Sequence, residues 1–336
     1  MNIIEDRIGE YLVPHLQDFI FDELSEGYLE KMGLKEIMTG VPIPLRKKEL
    51  NKITTLTIAL NMAFVIGCDP NFQYRDNYIQ YILKAFDKRF SQGLVADGVD
   101  GAQKNDFDYA CIQFRAAMLI DPENVDAMYC YGRACKDAYE LGEEEEFIAR
   151  FKAESLEAFE KVTLKRPDFA EAYYFLGYGY INLGLYVKAK LTWEDFVRLS
   201  EDEEKKKEIN ERLALLDEPV KIEEGYNMIL SGKFEEGIER LSQYTDGEYK
   251  NWWPLWYYLG TAYQALEMYD AAVESYQKVL QLSPSNLETM EELVRVYGVV
   301  GDAEKVEKYT KKMDVIKNNM ELDRLEKMKG KNINFS

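Results

Sequence analysis

Apolar side chains over residues 253–286 recur with the period of an α-helix, with one interruption. In the first half they follow one another at intervals of three and four residues, which places them on one face of a helix. These residues are Trp256, Leu259 and Tyr263. The pattern breaks over residues 266–270, resumes at Ala272 and stops at Pro284, because proline cannot continue a helix. The segment therefore predicts a pair of antiparallel helices.

The same segment resembles the consensus of the tetratricopeptide repeat (TPR), a helix pair of about 34 residues. Counted from Trp253, the matching positions are Trp256 at 4, Leu259 at 7, Gly260 at 8, Tyr263 at 11, Ala272 at 20, Tyr276 at 24 and Pro284 at 32. Small residues matter at positions 8 and 20, because the two helices cross closely there. The resemblance implies an array of stacked helix pairs.

Versions of this pattern, strong in three units and loose in three, cover the chain from residue 91 to about residue 320. The predicted repeat units are about 91–124, 125–169, 170–217, 218–252, 253–286 and 287–320. The second unit is lengthened around Gly142, and the third ends in an extra helix within residues 200–216, which Ser200 is predicted to cap. The fourth has Gly237 where alanine is usual, which predicts a second helix weaker by about 1 kcal/mol.

We therefore expect an all-α fold, a right-handed α-solenoid of TPR-like helix pairs over residues 91–325. An N-terminal helical module or cap, residues 1–90, precedes it, and a tail, residues 326–336, follows. The elements expected in the module are one long helix from Ile4 to Leu29, extended backbone at residues 40–44, and helices over Leu50–Ile66 and Tyr74–Phe90. The backbone at residues 40–44 is expected to be extended because a residue that precedes proline is pushed out of the helical region.

Composition narrows the classes of function. The 336 residues carry a net charge of −19, with 46% apolar and 31% charged residues, which is typical of a folded protein. Phosphate contacts need a basic surface, so this acidity argues against nucleic acid as a partner. The most apolar segment, Ile53–Cys68, is too short and too polar to span a membrane, and residues 1–11 lack the pattern of a secretory signal. We therefore expect a cytoplasmic protein without membrane insertion.

The sequence offers no recognisable catalytic or metal-binding motif. His15 is the only histidine, which removes histidine-based triads and sites with two or three histidine ligands. Cys130 and Cys135 are five residues apart, or about 140° around a helix, so they do not face one metal ion. A three-thiolate site that adds Cys111 is the weaker alternative to packed, apolar cysteines. We expect no enzyme activity, no cofactor and no metal.

In TPR domains, positions 2, 5, 9, 12 and 13 of each unit face a concave groove that binds partners, and the resemblance carries this role over to matching residues here. The predicted groove residues are Tyr129, Arg133, Lys136, Tyr174, Tyr178, Asn182, Tyr226, Tyr257 and Gln264. Tyrosine offers a large, rigid contact area at low entropic cost, which favours a recognition surface. The competing interpretation is that these rings only fill the inside of the superhelix or pack between repeats.

The preferred hypothesis is a non-enzymatic scaffold or adaptor that binds a peptide or helix of a partner protein in this groove. The alternative is a ligand-gated, peptide-sensing regulator whose superhelix closes on a small ligand. Self-association through the repeats is a further possibility that the sequence leaves open.

Overall fold

The computed structural model describes residues 3–48 and 53–333, with the main chain alone from residue 323 onwards. The chain divides into two compact subdomains. The N-terminal subdomain comprises residues 1–184 and 191–210, and the C-terminal subdomain comprises residues 185–190 and 211–336. Both contain helix pairs of a repeat array, and over the described residues the fold is all-α apart from one small two-stranded sheet.

The first 46 residues form short elements, so the predicted long helix from Ile4 to Leu29 is wrong. The observed elements are helix α1 (Gly9–Leu12), a 3₁₀ helix (Val13–Asp18), strand β1 (Phe19–Asp22), helices α2 (Glu26–Lys31) and α3 (Lys35–Met38), and strand β2 (Ile43–Arg46). Strand β1 pairs antiparallel with β2, with Phe19 opposite Arg46. This pairing satisfies main-chain groups that a helix would satisfy internally, and the prolines of residues 40–44 keep β2 extended as expected.

The next elements lead into the repeats. They are α4 (Thr55–Cys68), α5 (Arg75–Phe86), α6 (Phe90–Gln103) and α7 (Phe107–Ile120). The predicted helix over Leu50–Ile66 is observed as α4, and the part of that prediction over residues 50–52 lies outside the described residues. Helix α5 ends four residues before the predicted Phe90, because Asp87 adopts a left-handed φ of 60°.

The repeats continue as a series of helices to residue 333. They are α8 (Val125–Leu141), α9 (Glu145–Lys165), α10 (Ala170–Asn182), α11 (Tyr186–Leu199), α12 (Glu203–Ala214), α13 (Asp217–Leu230), α14 (Phe234–Ser242), a 3₁₀ helix (Glu248–Asn251), α15 (Trp253–Ala265), α16 (Tyr269–Leu282), α17 (Leu287–Val300) and α18 (Ala303–Ile333). The additional residues near Gly142 lengthen α8 and α9 to 17 and 21 residues. Helix α18 continues through the predicted tail to residue 333, and residues 334–336 lie outside the described part.

Close helix crossing explains the small residues of the repeat. At Gly260 of α15, an added Cβ would lie 2.6 Å from the Tyr276 ring of α16. At Gly177 of α10, a Cβ would overlap the Trp193 indole of α11. Any larger residue at these positions would push the two helices of the pair apart.

Each subdomain has its own apolar core. In the N-terminal subdomain one cluster runs from strand β2 into the first repeat, and Leu45, Ile82, Leu94 and Ala117 belong to it. The C-terminal subdomain has a cluster around Ile222 and Leu259 and another around Tyr276 and Leu293. The first helix of each repeat therefore keeps one face in the core, and its other side chains are available for the site described next.

Candidate functional site

In the N-terminal subdomain, the predicted residues of α8 gather around one aromatic ring, that of Phe175 on α10. The Arg133 guanidinium lies 4.4 Å from the centre of this ring, and the Lys136 ammonium lies 6.0 Å from it. Arg133 also donates to the Tyr129 hydroxyl at 3.3 Å, and the rings of Tyr129 and Phe175 are 6.3 Å apart. The structure thus brings Tyr129, Arg133 and Lys136 together in one cation–aromatic cluster.

Tyr174 and Tyr178 of α10 hold a carboxylate between them. Both hydroxyls donate to Glu208 of the extra helix α12, that of Tyr174 over 3.1 Å. The two rings are 5.2 Å apart, and Tyr178 also packs against Trp193. Burial raises the pKa of both phenols, and their hydrogen bonds to the Glu208 carboxylate act in the same direction. The hydroxyls therefore stay protonated and serve as donors to an anion.

A second polar contact fixes α12 on the same face of α10. Lys205 of α12 forms an ion pair with Glu171 at 2.9 Å, and its ammonium lies 5.4 Å from the Tyr174 ring. The hydrogen bond to Glu171 raises the pKa of Lys205, which therefore remains charged. Ile209 is the one residue of α12 that is fully buried. Helix α12 thus lies on predicted groove residues of α10, through these polar contacts and with one buried apolar residue of its own.

The cap of α12 differs from the one predicted. The Asp202 carboxylate, and not the Ser200 hydroxyl, accepts the hydrogen bond from the Lys205 amide, at 3.1 Å. Ser200 accepts from the Asp202 amide one turn earlier, so it orders the residue that caps the helix.

The C-terminal subdomain has a comparable surface between α15 and α17. The Tyr257 hydroxyl donates to Glu288 at 2.9 Å, and the Gln264 amide donates to Glu292 at 3.0 Å. Arg295, which is exposed, pairs with Glu292 at 2.6 Å. Tyr257 and Gln264 therefore lie on one polar face, and each is already hydrogen-bonded to a carboxylate of the next repeat.

Two predicted groove residues lie elsewhere. Tyr226 is 9% exposed and stacks on Tyr258 with ring centres 4.2 Å apart, inside the core of the C-terminal subdomain. Burial raises the pKa of its phenol, as expected for an interior ring. Asn182, at the end of α10, is exposed. For Tyr226, this placement favours the packing interpretation of the tyrosine stripe.

Sequence reasoning missed three side chains that shape the N-terminal surface, namely Phe175, Lys205 and Glu208. Phe175 follows Tyr174 directly, so an aromatic pair in the chain was the available signal. Nothing local predicts that Lys205 and Glu208 reach α10, because both lie more than 30 residues away along the chain. Their spacing of three residues on a helix does place them on one face.

The cysteines are packed in apolar surroundings. The Cys111 and Cys135 sulfurs lie 3.8 Å apart in the core, and burial raises the pKa of the Cys135 thiol. In the part of the chain that the structure describes, no group of three or more His, Cys, Asp and Glu side chains could hold a metal ion. Within residues 3–48 and 53–333, no helix combines the length and apolar character of a membrane span.

Stacked helix pairs with polar and aromatic side chains on the first helix of each pair define a helical-repeat scaffold for protein–protein interaction. The model of the tetratricopeptide repeat matches residues 253–286. Residues 253–286 are therefore a tetratricopeptide repeat. No curated protein matches it significantly.

Several solved structures are distantly similar. The TPR domain of P58(IPK) is 12% identical, covers 87% of this chain and 79% of its own, and has a TM-score of 0.44. MamA is 17% identical, and the match covers 68% of this chain and 93% of MamA, with a TM-score of 0.29. YrrB, described as a TPR protein with an unusual peptide-binding site, is 15% identical, with coverage of 64% and 96% and a TM-score of 0.32. Similarities this weak support no conclusion about a ligand.

Proposed function

We propose that this protein is a non-enzymatic scaffold whose inner repeat surface binds a helix of a partner protein. The observation that carries the proposal is the pair of hydrogen bonds that Tyr174 and Tyr178 donate to the Glu208 carboxylate. On this proposal, the two phenols recognise one acidic side chain of the partner, at repeat positions that face the peptide groove in TPR domains.

The partner segment follows from the same contacts. A helix that replaces α12 would present a carboxylate to the two phenols and, one turn earlier, a cation to Glu171, as Lys205 does. An apolar residue beside them would bury more of the Tyr174 and Phe175 rings than α12 buries. We therefore expect an amphipathic helix with a basic residue three positions before an acidic one.

The C-terminal surface around Tyr257 and Gln264 is proposed as a second, separate contact for partners. Its exposed groups include the Glu288 carboxylate and Arg295. This surface suits a basic segment, because Glu288 and Glu292 lie side by side on one face of the helix. A cytoplasmic location and the exclusion of nucleic acid are part of this proposal and depend on the net charge of −19.

In the test, helical peptides that bind the purified full chain are selected from a library. Their affinities are then measured by fluorescence anisotropy. Peptides that bind the N-terminal surface should lose about tenfold in affinity on the Tyr174→Phe/Tyr178→Phe variant, because each lost bond joins a donor to a charged acceptor. Tyr173→Phe is the matched control, since its hydroxyl bonds to the Pro167 carbonyl and not to α12. Equal affinity for the wild type, the double variant and the control would contradict the proposal.

The alternative function, a regulator whose superhelix closes on a small ligand, predicts a ligand site among the groove tyrosines. The cavity of the N-terminal subdomain described below is lined by Tyr131 and by none of the nine predicted groove residues. The scaffold is therefore the better-supported proposal. Light scattering on the purified chain would show whether self-association accompanies it.

A further inference from the structure

The N-terminal subdomain contains a cavity of about 490 Å³ away from the partner surface. The residues before α1, the start of α8 and the facing sides of α7 and α9 enclose it. Much of its wall is apolar, and the residues concerned are Pro70, Met118, Leu119, Pro122, Met128 and Ala158. Small-molecule sites typically have volumes of about 300–1,000 Å³ and apolar walls with few polar groups, so this cavity has the size and lining of such a site.

Two carboxylates of the cavity wall, Glu154 and Glu157, already bond to basic or hydroxyl side chains nearby. Glu154 accepts from the Arg7 guanidinium at 3.1 Å and from the Tyr131 hydroxyl at 2.6 Å. Glu157 pairs with Arg7 at 2.5 Å and with Lys161 at 2.6 Å. The acceptors of the cavity thus have donors, and four basic side chains balance the four acidic ones that line it.

Arg115 differs from these groups, because one nitrogen of its guanidinium has no hydrogen-bond acceptor among the described residues. Its side chain is 8% exposed, lines the cavity, and pairs with Asp6 through Nη2 at 2.9 Å. The other terminal nitrogen, Nη1, is shielded and has no hydrogen-bond acceptor among the described residues. A buried guanidinium nitrogen without an acceptor is rare in folded proteins and calls for an explanation. A ligand that supplies an anionic oxygen would provide the missing acceptor.

We propose that this cavity is a binding site for a small carboxylic acid with an apolar body, whose carboxylate bonds to Arg115 Nη1. The apolar chain would lie against Met118, Leu119 and Met128. Asp6 would form part of the wall beside Arg115, and the side chains that shield Nη1 would move aside to admit the carboxylate. The site is separate from the proposed partner surface, since none of the predicted groove residues lines it.

The test uses octanoate and the purified full chain without a partner, with 1-octanol as the neutral analogue. Isothermal titration calorimetry should show saturable octanoate binding that is at least about tenfold tighter than octanol binding, because only octanoate satisfies the guanidinium. Saturable binding that is equal for the two compounds would overturn the proposal, and so would the lack of saturable octanoate binding at millimolar concentration.

Two variants locate the site. Leu119→Trp fills the cavity and leaves the Arg115–Asp6 pair intact, so it should abolish octanoate binding, whereas Leu164→Trp on the exposed side of α9 should leave it unchanged. Arg115→Met combined with Asp6→Asn removes both partners of the pair and should reduce octanoate affinity to the level of octanol. Wild-type affinity in Leu119→Trp would overturn the assignment even if the double variant failed to fold.

Discussion

Helix α12 on α10 and helix α17 on α15 make the same kind of polar contact in the two subdomains. In each, a tyrosine hydroxyl of one helix donates to a glutamate of the second helix after it, Tyr174 to Glu208 and Tyr257 to Glu288. The apolar anchoring differs greatly. The buried residues of α17 are Thr289, Met290, Leu293, Val296 and Tyr297, whereas α12 buries Ile209 alone.

The comparison teaches that the apolar contacts, and not the tyrosine–glutamate bond, decide whether such a helix is permanent. Fully burying one large aliphatic side chain stabilises by about 1.5–3 kcal/mol, while a surface ion pair such as Lys205–Glu171 contributes about 0–1 kcal/mol. Helix α17 is therefore part of the fold. Under the proposed function, helix α12 is an occupant of the α10 surface that a better-matched helix replaces.

The largest expected effect comes from removing an apolar anchor of α17. Leu293→Ala should lower the free energy of unfolding by about 3 kcal/mol, because it leaves a cavity in a closed core. The matched change in the other region is Ile209→Ala. It should lower the free energy of unfolding by less, because α12 can detach while the rest of the fold stays intact. Urea denaturation of both variants measures the difference, and equal losses would break the comparison.

A second prediction concerns the tight packing within the C-terminal subdomain. Alanine usually stabilises a helix relative to glycine by about 1 kcal/mol, yet Gly237→Ala should destabilise the protein by about 1–3 kcal/mol, because the new Cβ would overlap Ile229. Gly298→Ala on the exposed side of α17 is the control and should be stabilising, since no atom lies within 4 Å of its added Cβ. Thermal unfolding distinguishes the two signs, and stabilisation by both would show that the glycine is not required.

A smaller effect is expected from the tyrosine hydroxyls. Tyr174→Phe with Tyr178→Phe removes the two bonds to Glu208 and should raise amide exchange throughout α12 about tenfold, because polar contacts hold that helix. Tyr257→Phe should leave exchange in α17 nearly unchanged, since its apolar anchors remain. Similar changes in α12 and α17 would contradict the proposed difference.

The smallest effect concerns the cap of α12. The hydrogen bond from the Lys205 amide lowers the pKa of Asp202 below its usual value near 3.8. A carboxylate with a lowered folded-state pKa stabilises above the unfolded pKa, and this stabilisation is lost as the pH falls through the folded value. The rate of amide hydrogen exchange in α12, divided by the intrinsic rate of an unprotected amide at the same pH, should therefore rise below about pH 4. Asp202→Asn keeps the cap without the charge and should reduce this pH dependence.

The repeats could be predicted from sequence because their signals are local. Gly260, Tyr276 and Pro284 mark a crossing, a packed ring and a helix end within one segment, and the structure shows the two helices there. The N-terminal two-stranded sheet could not be predicted in this way. Phe19 and Arg46 pair across 27 positions of the chain, and the apolar run that includes Phe19 fits a helical pattern as well.

The candidate site was predicted only in part for the same reason. Repeat positions place Tyr174, Tyr178 and Tyr257 on the first helices, as observed. They do not reveal that Tyr226 stacks on Tyr258 in the core, or that α12 folds back over α10. Both facts depend on long-range contacts, which no spacing within one repeat encodes.

The most direct test of the central claim is native-state hydrogen exchange of the unmodified chain, read helix by helix by mass spectrometry. If α12 is a replaceable occupant, its amides should exchange through local opening at least about a hundredfold faster than those of α17, and low urea concentrations should leave that rate unchanged. Protection of α12 equal to that of α17, with the same dependence on urea, would contradict the account.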